Sequence, residues 1–288
     1  MTGSEPLRLE GRVALITGAG RGLGWGVARG LARAGARVAI LDINSEELEQ
    51  TLADIALDGG EALPLIADVS VFTDMQQAVE QIVARWGRLD VVINNAAIMP
   101  LVPFDEMSPP LWQKIIAVNL TGVYNGVKAA WEQLKLQGGG HCIAIASGSS
   151  VRGFVNEVAY CAAKHGLEGF TKALAVEAEP YHIAVNTMGP GKIIKPTSIT
   201  RDAAAHMSHD QQARWADPLE LAPGFVWLAA QPPARFSGLR FDAGVIADTI
   251  AAEGFEFDVT PEKVTAYPAD FAEREAQRMH WTHLAPDA

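Results

Sequence analysis

Short apolar segments alternate with longer segments of helical period along most of the chain, and this alternation constrains the fold more than any other feature. The apolar segments lie at residues 13–17, 38–41, 62–67, 91–94, 142–146, 184–188 and 239–241. Several are apolar at successive positions, as is typical of parallel strands that helices cover on both faces. Because right-handed crossovers join such strands through helices, the sequence predicts an α/β fold with one doubly wound parallel sheet and helices on both faces.

Two segments depart from this alternation. Residues 192–215 are polar and weakly periodic, so we expect them to form a lid over a site. Residues 245–288 follow the last strand and have helical periodicity at 245–253 and 269–281, with a cap-like Thr-Pro pair at 260–261. No linker-like composition interrupts the rest, so we predict one domain over residues 1–244. The helical C-terminal extension, 245–288, is expected to pack on that domain or on a neighbouring subunit, near a substrate entrance.

Composition and charge exclude several classes of protein. The chain has 23 Lys and Arg against 34 Asp and Glu, a formal net charge of −11, which gives no basic surface for a nucleic acid. No segment approaches the roughly 20 apolar residues of a membrane span, and the charged N-terminus does not resemble a signal peptide, so a cytoplasmic protein is predicted. The two cysteines form no CxxC motif, and the histidine pairs 206/209 and 280/283 lack a third ligand, so we predict no metal site.

The turn after the first predicted strand reads TGAGRGLG over residues 17–24. Glycines at such a turn allow a dinucleotide pyrophosphate to approach the backbone, where a helix N-terminus supplies N–H donors. Tight packing alone is the other reason for a glycine-rich turn. Asp42 favours the dinucleotide, because it ends the second strand eighteen residues after Gly24, near the spacing at which a carboxylate binds the ribose hydroxyls.

Two residues of opposite charge bear on the choice between NAD and NADP. Asp42 would repel a 2′-phosphate, since unit charges about 4 Å apart at an effective dielectric of about 20 interact by about 4 kcal/mol. Arg21 would attract it, but an exposed ion pair contributes only about 0–1 kcal/mol. The sequence therefore predicts NAD as the cofactor, with an NADP-linked enzyme as the alternative.

Tyr160 and Lys164 lie four residues apart at the start of a helical segment, so their side chains share one helix face. Such a pair also arises by chance. In chain order, however, it follows the TGxxxGxG turn, the acidic strand end, Asn94-Asn95-Ala96-Ala97, Asn119 and Ser147, and it precedes Pro190-Gly191. With these motifs the chain resembles the short-chain dehydrogenase/reductase family over about residues 8–244. The resemblance implies a Rossmann-type fold and an oxidoreductase.

The resemblance also implies a role for each matching residue. Tyr160 would be the general acid/base, Lys164 its activator and a ligand of the nicotinamide ribose, and Ser147 the partner of the reacting oxygen. Asn119 would hold a water near Lys164. Cofactor contacts would come from Gly18, Arg21, Gly22, Leu23 and Gly24 at the pyrophosphate, Asp42 at the ribose, Asp68 and Val69 at the adenine, Asn94, Asn95 and Ala96 along the cleft, and Pro190, Gly191, Ile193 and Thr197 at the nicotinamide.

The predicted chemistry needs a phenol that can lose its proton. A free phenol has a pKa of about 10, and an ammonium about 4 Å away could stabilise the phenolate by about 4 kcal/mol, or near three pKa units. We therefore expect Tyr160 to titrate near neutral pH. Two positions depart from the family pattern: Ala97 replaces the usual Gly, and Lys195 stands where Thr is usual, which leaves Thr197 as the candidate for that contact.

The sequence thus predicts an NAD-dependent enzyme that transfers a hydride between a secondary alcohol and its ketone. The alternatives are an NADP-linked carbonyl reductase and a non-catalytic NAD-binding sensor or scaffold on the same fold. Basic residues in the lid favour polar or anionic substrates slightly. The expected partners are a small alcohol or ketone and further copies of the chain, as a homotetramer or a dimer, with neither nucleic acid nor membrane.

Overall fold

The computed structural model describes residues 8–196, 199 and 201–281. Its centre is a seven-stranded parallel sheet in the order β3-β2-β1-β4-β5-β6-β7. The strands are β1 (Val13–Thr17), β2 (Arg37–Asp42), β3 (Ala62–Ile66), β4 (Val91–Asn94), β5 (Gly140–Ile145), β6 (Ile183–Gly189) and β7 (Arg240–Asp242). The prediction of one doubly wound parallel sheet is confirmed, and the strand ends differ from the predicted ones by at most two residues.

Twelve α-helices surround the sheet in the described part of the chain. They are α1 (Gly22–Arg33), α2 (Ser45–Leu57), α3 (Phe72–Trp86), α4 (Pro109–Ile116), α5 (Gly122–Leu136), α6 (Val158–Ala178), α7 (Arg201–Ala205), α8 (His209–Gln212), α9 (Pro218–Ala230), α10 (Ala243–Glu253), α11 (Pro261–Val264) and α12 (Pro268–Trp281). No helix among residues 8–196, 199 and 201–281 is both long and apolar enough to cross a membrane.

Each face of the sheet carries its own apolar core. In β1, Ala14 and Ile16 belong to the core shared with α1, α9 and α10, whereas Val13 and Leu15 belong to the core shared with α3, α5 and α6. Side chains alternate between the two faces of a strand, so an unbroken apolar run fills both cores. This is why the strands read as continuous apolar segments in the sequence.

The sheet topology fixes where a ligand can bind. The strand order reverses between β1 and β4, so the connections leave these two strands in opposite directions. In open α/β sheets the crevice at such a switch point, beyond the carboxyl ends of the strands, is the binding site. Thr17 and Asn94 end the two strands at this edge.

The segment 192–215 contains two short helices, α7 and α8, rather than a loop without regular structure. Its base is closed by a hydrogen bond from the Ala216 N–H to the Ile193 carbonyl, at 2.8 Å. Neither helix is long enough to show a clear apolar period, which is why the sequence did not predict them.

Residues 243–281, after β7, pack on the same chain. Phe257 stacks on Trp227 of α9 at a centroid distance of 5.3 Å, and Phe271 of α12 meets the edge of Phe241 in β7 at 5.9 Å. Val264 is fully buried in the core under α9 and α10. These aromatic contacts give α10 to α12 an apolar surface to pack on.

Candidate active site

The glycine-rich turn between β1 and α1 has a backbone shape that other residues would not tolerate. Gly18 and Gly22 have φ angles of +64° and +56°, in the left-handed region. A Cβ on Gly24 would lie 2.2 Å from the Gly18 carbonyl oxygen. Helix α1 begins at Gly22, so its first N–H groups and its positive dipole end point out of the turn. This arrangement fits a dinucleotide pyrophosphate. Leu23 is buried in the core and anchors the turn there.

Asn95 holds the turn in place. Its side-chain amide donates to the carbonyls of Thr17 and Gly18, both at 2.9 Å, and the Asn95 and Ala96 N–H groups donate to the Thr17 hydroxyl at 3.0 and 3.1 Å. The Asn95 side chain therefore braces the cleft wall. Asn94 is buried against α5, where a Cβ on Gly126 would come within 2.1 Å of its Oδ1.

Asp42 lies beside the same turn. Its Oδ2 accepts a hydrogen bond from the Gly20 N–H at 2.9 Å, and its Oδ1 accepts one from the Asn44 N–H at 3.1 Å. Arg21 makes an ion pair with Glu47 of α2, with Nη1 2.7 Å from Oε2. Sequence reasoning missed Glu47. Its place in the acidic first turn of α2 was visible, but its contact with Arg21 depends on how α2 packs against the turn.

Asp68 and Val69 follow β3 at the same edge. The Asp68 carboxylate accepts hydrogen bonds from the N–H and hydroxyl of Ser70, at 2.8 and 2.7 Å. The Val69 side chain is buried, and its carbonyl accepts from the Asn125 side chain at 2.8 Å. Any contact of Val69 with a ligand would therefore involve its backbone.

The loop after β6 faces the other half of the crevice. The Pro190 carbonyl accepts from the Gly244 N–H at 2.9 Å, and Gly191 has a φ of +67°. Ile193 is 75% exposed. Thr197 lies outside the described residues.

Ser147, Tyr160 and Lys164 come together beyond the end of β5. Ser147 caps the 3₁₀ turn that follows this strand, and its hydroxyl is hydrogen-bonded to that of Tyr160 in the first turn of α6. Lys164 lies one helical turn further. Its Nζ donates to the Ile145 carbonyl at 2.7 Å and is 5.5 Å from the centroid of the Tyr160 ring. The structure thus groups a hydroxyl, a phenol and a buried amine.

Asn119 lies in a π-helical turn, Ala117–Thr121, between α4 and α5. Its Oδ1 accepts from the Ile98 N–H at 2.8 Å, and its Nδ2 donates to the Ile98 carbonyl at 2.7 Å. The buried side chain therefore ties the loop after β4 to this turn. Such local widening of a helix is frequent at functional sites.

Burial sets the ionisation of the grouped residues. It raises the pKa of Tyr160 to about 12, although the hydrogen bond from Ser147 acts in the opposite direction. Burial also lowers the pKa of Lys164 to about 8, against the charge of Glu168, which raises it. The expectation that Lys164 brings the phenol close to neutral pH is therefore not met in the protein alone. Desolvation of the phenol is the largest cause, the negative charge of Glu157 adds to it, and the Lys164 Nζ donates to the Ile145 carbonyl.

Residues 12–208 match the profile of the short chain dehydrogenase family. A short chain dehydrogenase/reductase of Aspergillus oryzae is 35% identical over 258 residues, which cover 85% of this chain and 99% of the relative. The chain belongs to the short-chain dehydrogenase family. It is accordingly an oxidoreductase of the class that acts on alcohols and ketones with a nicotinamide cofactor.

Two solved structures show the same fold. Carveol dehydrogenase from Mycobacterium avium, in complex with NAD, has a TM-score of 0.73 at 27% identity, over 82% of this chain and 98% of its own. A candidate NAD(P)-dependent gluconate 5-dehydrogenase from Beutenbergia cavernae, with NADP bound at low occupancy, has a TM-score of 0.72 at 31% identity, over 83% and 97%. This short-chain dehydrogenase therefore has structural neighbours with either cofactor.

Proposed function

We propose that this short-chain dehydrogenase is NAD-dependent and transfers a hydride between a secondary alcohol and its ketone, with Tyr160 as general acid/base. The observation that carries the proposal is the grouping of Ser147, Tyr160 and Lys164 beyond the end of β5, at the same edge of the sheet as the glycine-rich turn. The grouping argues against the alternative of a non-catalytic sensor, which would need the turn but not a phenol hydrogen-bonded to a serine.

The residues of the site divide the work. Gly18, Gly22 and Gly24 would admit the pyrophosphate, with Leu23 and Arg21 shaping the same turn, and Asp42 would bind the adenosine ribose. The segment from Pro190 to Ile193 would flank the nicotinamide. Bound NAD would supply the hydride acceptor, which is chemistry that belongs to the cofactor. Ser147 would fix the substrate oxygen, and Tyr160 would exchange a proton with it.

The pKa values favour one direction at neutral pH. Because burial holds the pKa of Tyr160 at about 12, the phenol is protonated at neutral pH and ready to donate to a ketone oxygen. In alcohol oxidation Tyr160 must accept a proton, so it has to be deprotonated first. We therefore propose that the rate of oxidation rises with pH well above neutrality, whereas ketone reduction needs no such rise.

The preference for NAD rests on two carboxylates. Asp42 would stand beside a 2′-phosphate and repel it. Arg21, which could attract that phosphate, is held by Glu47 at 2.7 Å. The NADP-linked alternative therefore loses much of the support that Arg21 gave it in the sequence.

We further propose that the substrate has an apolar body. Segments next to the site present exposed apolar side chains: Leu101 and Phe104 after β4, Phe154 and Val155 before α6, and Ile193 after β6. A hydrogen bond from the Val102 N–H to the Asn156 carbonyl, at 3.0 Å, joins the first two segments. In the lid, Lys192 pairs with Asp248 at 2.6 Å and Lys195 donates to the Ile199 carbonyl. These contacts weaken the case for an anionic substrate.

A panel of secondary alcohols tests the proposal, with NADH formation followed by absorbance. Cyclic apolar alcohols and linear polyols are compared with NAD and with NADP. Turnover of apolar alcohols with NAD supports the proposal. Tight NADH binding without any turnover over the panel would favour the sensor instead.

We also propose that the protein is a homo-oligomer, a tetramer or a dimer, and light scattering of the purified protein tests this. The cytoplasmic location stays a prediction.

A further inference from the structure

A cluster of charged side chains is buried behind the catalytic group. Glu168 of α6 is 6% exposed, Arg240 and Asp242 of β7 are each 1% exposed, and Arg274 of α12 is 3% exposed. Burying charge in a protein costs several kcal/mol per ion, and apolar residues of similar volume often give equal or greater stability. The cluster therefore calls for a role other than stability.

Glu168 is the centre of the cluster. Its Oε1 accepts a hydrogen bond from Arg240 Nη1 at 2.7 Å. Its Oε2 accepts from the Thr187 hydroxyl at 3.1 Å and from Arg274 Nη2. Two guanidinium groups, one from the sheet and one from the C-terminal helix, thus bind opposite oxygens of one carboxylate.

The cluster reaches the catalytic group by two routes. Arg240 Nη2 donates to the carbonyl of Ser147 at 3.0 Å, so one guanidinium connects Glu168 to the backbone of the residue that contacts Tyr160. Glu168 also lies one helical turn after Lys164, on the same face of α6.

The C-terminal segment surrounds the cluster from the other side. The Asp242 carboxylate accepts from the Thr265 hydroxyl at 3.0 Å and from the Ala266 N–H at 2.9 Å. The Arg240 guanidinium lies 4.7 Å from the centroid of the Tyr267 ring. Asp270 Oδ2 lies 3.1 Å from Arg274 Nε. Residues 265–274 therefore cover the charged side chains that β7 and α6 contribute to the cluster.

We propose that the C-terminal segment is a positioning element of the active site: Arg274 and Arg240 hold Glu168 between them and so fix the Ser147 backbone and the charge around Lys164. Glu168, Arg240 and Arg274 are positioning residues, since they act through Ser147 and Lys164. The inference rests on the catalytic roles given to those two residues under the proposed function.

The charges that face Lys164 predict in which direction its pKa should change when a residue of the cluster is replaced. Tyr160 and Glu168 face it from α6, Arg240 faces it from β7, and the Ile145 carbonyl binds it from β5. After burial, the negative charge of Glu168 raises the pKa of Lys164 and the positive charge of Arg240 lowers it. Loss of a negative charge from the cluster should lower this pKa, and loss of a positive charge should raise it.

The test measures the pKa of Lys164 directly, by NMR of protein labelled with ¹³C at the lysine ε-carbon. The Lys164 signal is the one that disappears in Lys164→Arg. Glu168→Gln is expected to lower the pKa by about half a unit or more, and Arg274→Gln to raise it by a smaller amount, because Arg274 contacts Glu168 and that carboxylate stays bound to Arg240. Arg274→Lys, which keeps the charge, should restore the parental value.

Arg278→Gln is the matched control. Arg278 lies one turn beyond Arg274 on α12 and pairs with Glu275 at 2.5 Å. The same charge is therefore lost from the same helix, away from Glu168. We expect this variant to leave the pKa of Lys164 and the pH profile of kcat unchanged, while the profile shifts in opposite directions for the two cluster variants.

Unchanged Lys164 titration in folded Glu168→Gln and Arg274→Gln would overturn the proposal, as would equal shifts in Arg274→Gln and Arg278→Gln. If the two cluster variants do not fold, Asp270→Asn decides, since it removes the negative charge beside Arg274 and should lower the pKa of Lys164. An unchanged pKa of Lys164 in Asp270→Asn would overturn the proposal. The NMR readout needs no turnover, so an enzyme inactive on every alcohol would refute the proposed function separately.

Discussion

Glu47→Gln should make this enzyme use NADP better while leaving its use of NAD nearly unchanged. Glu47 pairs with Arg21, the cation within the glycine-rich turn, and a Gln keeps the size of the side chain while removing its charge. Arg21 would then lose a carboxylate that competes with a 2′-phosphate for its guanidinium. Asp42 is not changed, so its expected contact with the adenosine ribose of NAD is kept.

The size of the effect follows from the geometry of the ion pair. A hydrogen bond between charged groups contributes about 1.5–3 kcal/mol when well buried. The side chains of Arg21 and Glu47 are 31% and 10% exposed, so solvent screens part of this interaction energy. About 1–1.5 kcal/mol remains, which corresponds to about a tenfold rise in kcat/KM for NADP relative to NAD.

The assay is initial-rate kinetics with both cofactors on the best alcohol of the panel, together with NADH and NADPH binding by fluorescence. Glu49→Gln serves as the control, because it removes the same charge from the opposite, exposed face of α2. A cofactor ratio that is the same in Glu47→Gln as in the parent, or equal changes in the two variants, would refute the role given to the Arg21–Glu47 pair.

Three further predictions concern other parts of the structure. Asp42→Ala should narrow the NAD preference by about tenfold or more, measured as the ratio of kcat/KM values, because it removes the charge that repels a 2′-phosphate; an unchanged ratio would contradict this. Gly24→Ala should abolish NADH binding, followed by fluorescence, since its Cβ would lie 2.2 Å from the Gly18 oxygen; normal affinity would show that the turn can relax. Burial lowers the pKa of His141 from 6.5 to about 4. As the pH falls, the imidazole is therefore protonated at a higher pH in the unfolded chain than in the folded one. The parent should lose about 3 kcal/mol of its free energy of unfolding between pH 6.5 and 4. Urea titrations should show a shallower pH slope in His141→Gln, and identical slopes would contradict the burial argument.

Much of the fold could be predicted because the strands carry their own signal. In β1 every residue is apolar or Thr, and each face of the strand fills a different core, so the run at 13–17 coincides with the strand as observed. The glycine-rich turn was equally visible, because its conformation requires residues without a side chain at fixed positions. Local rules of this kind can be read from one sequence.

Contacts between distant segments could not be predicted in the same way. The sequence shows that 245–288 is rich in aromatic residues, but not that Phe257 stacks on Trp227 or that Arg274 reaches Glu168. The prediction that Tyr160 titrates near neutral pH was wrong for a related reason. The i,i+4 spacing placed Lys164 nearby, but the burial that raises the pKa of the phenol depends on the whole fold.

Tyr160→Phe decides whether Tyr160 exchanges the proton during hydride transfer. The substitution keeps the ring and removes only the hydroxyl. Single-turnover rates and NADH affinity are measured together on the parent and the variant. We expect the variant to lose at least about a hundredfold in the single-turnover rate and to bind NADH as the parent does. Near-full turnover in Tyr160→Phe would contradict this role of Tyr160.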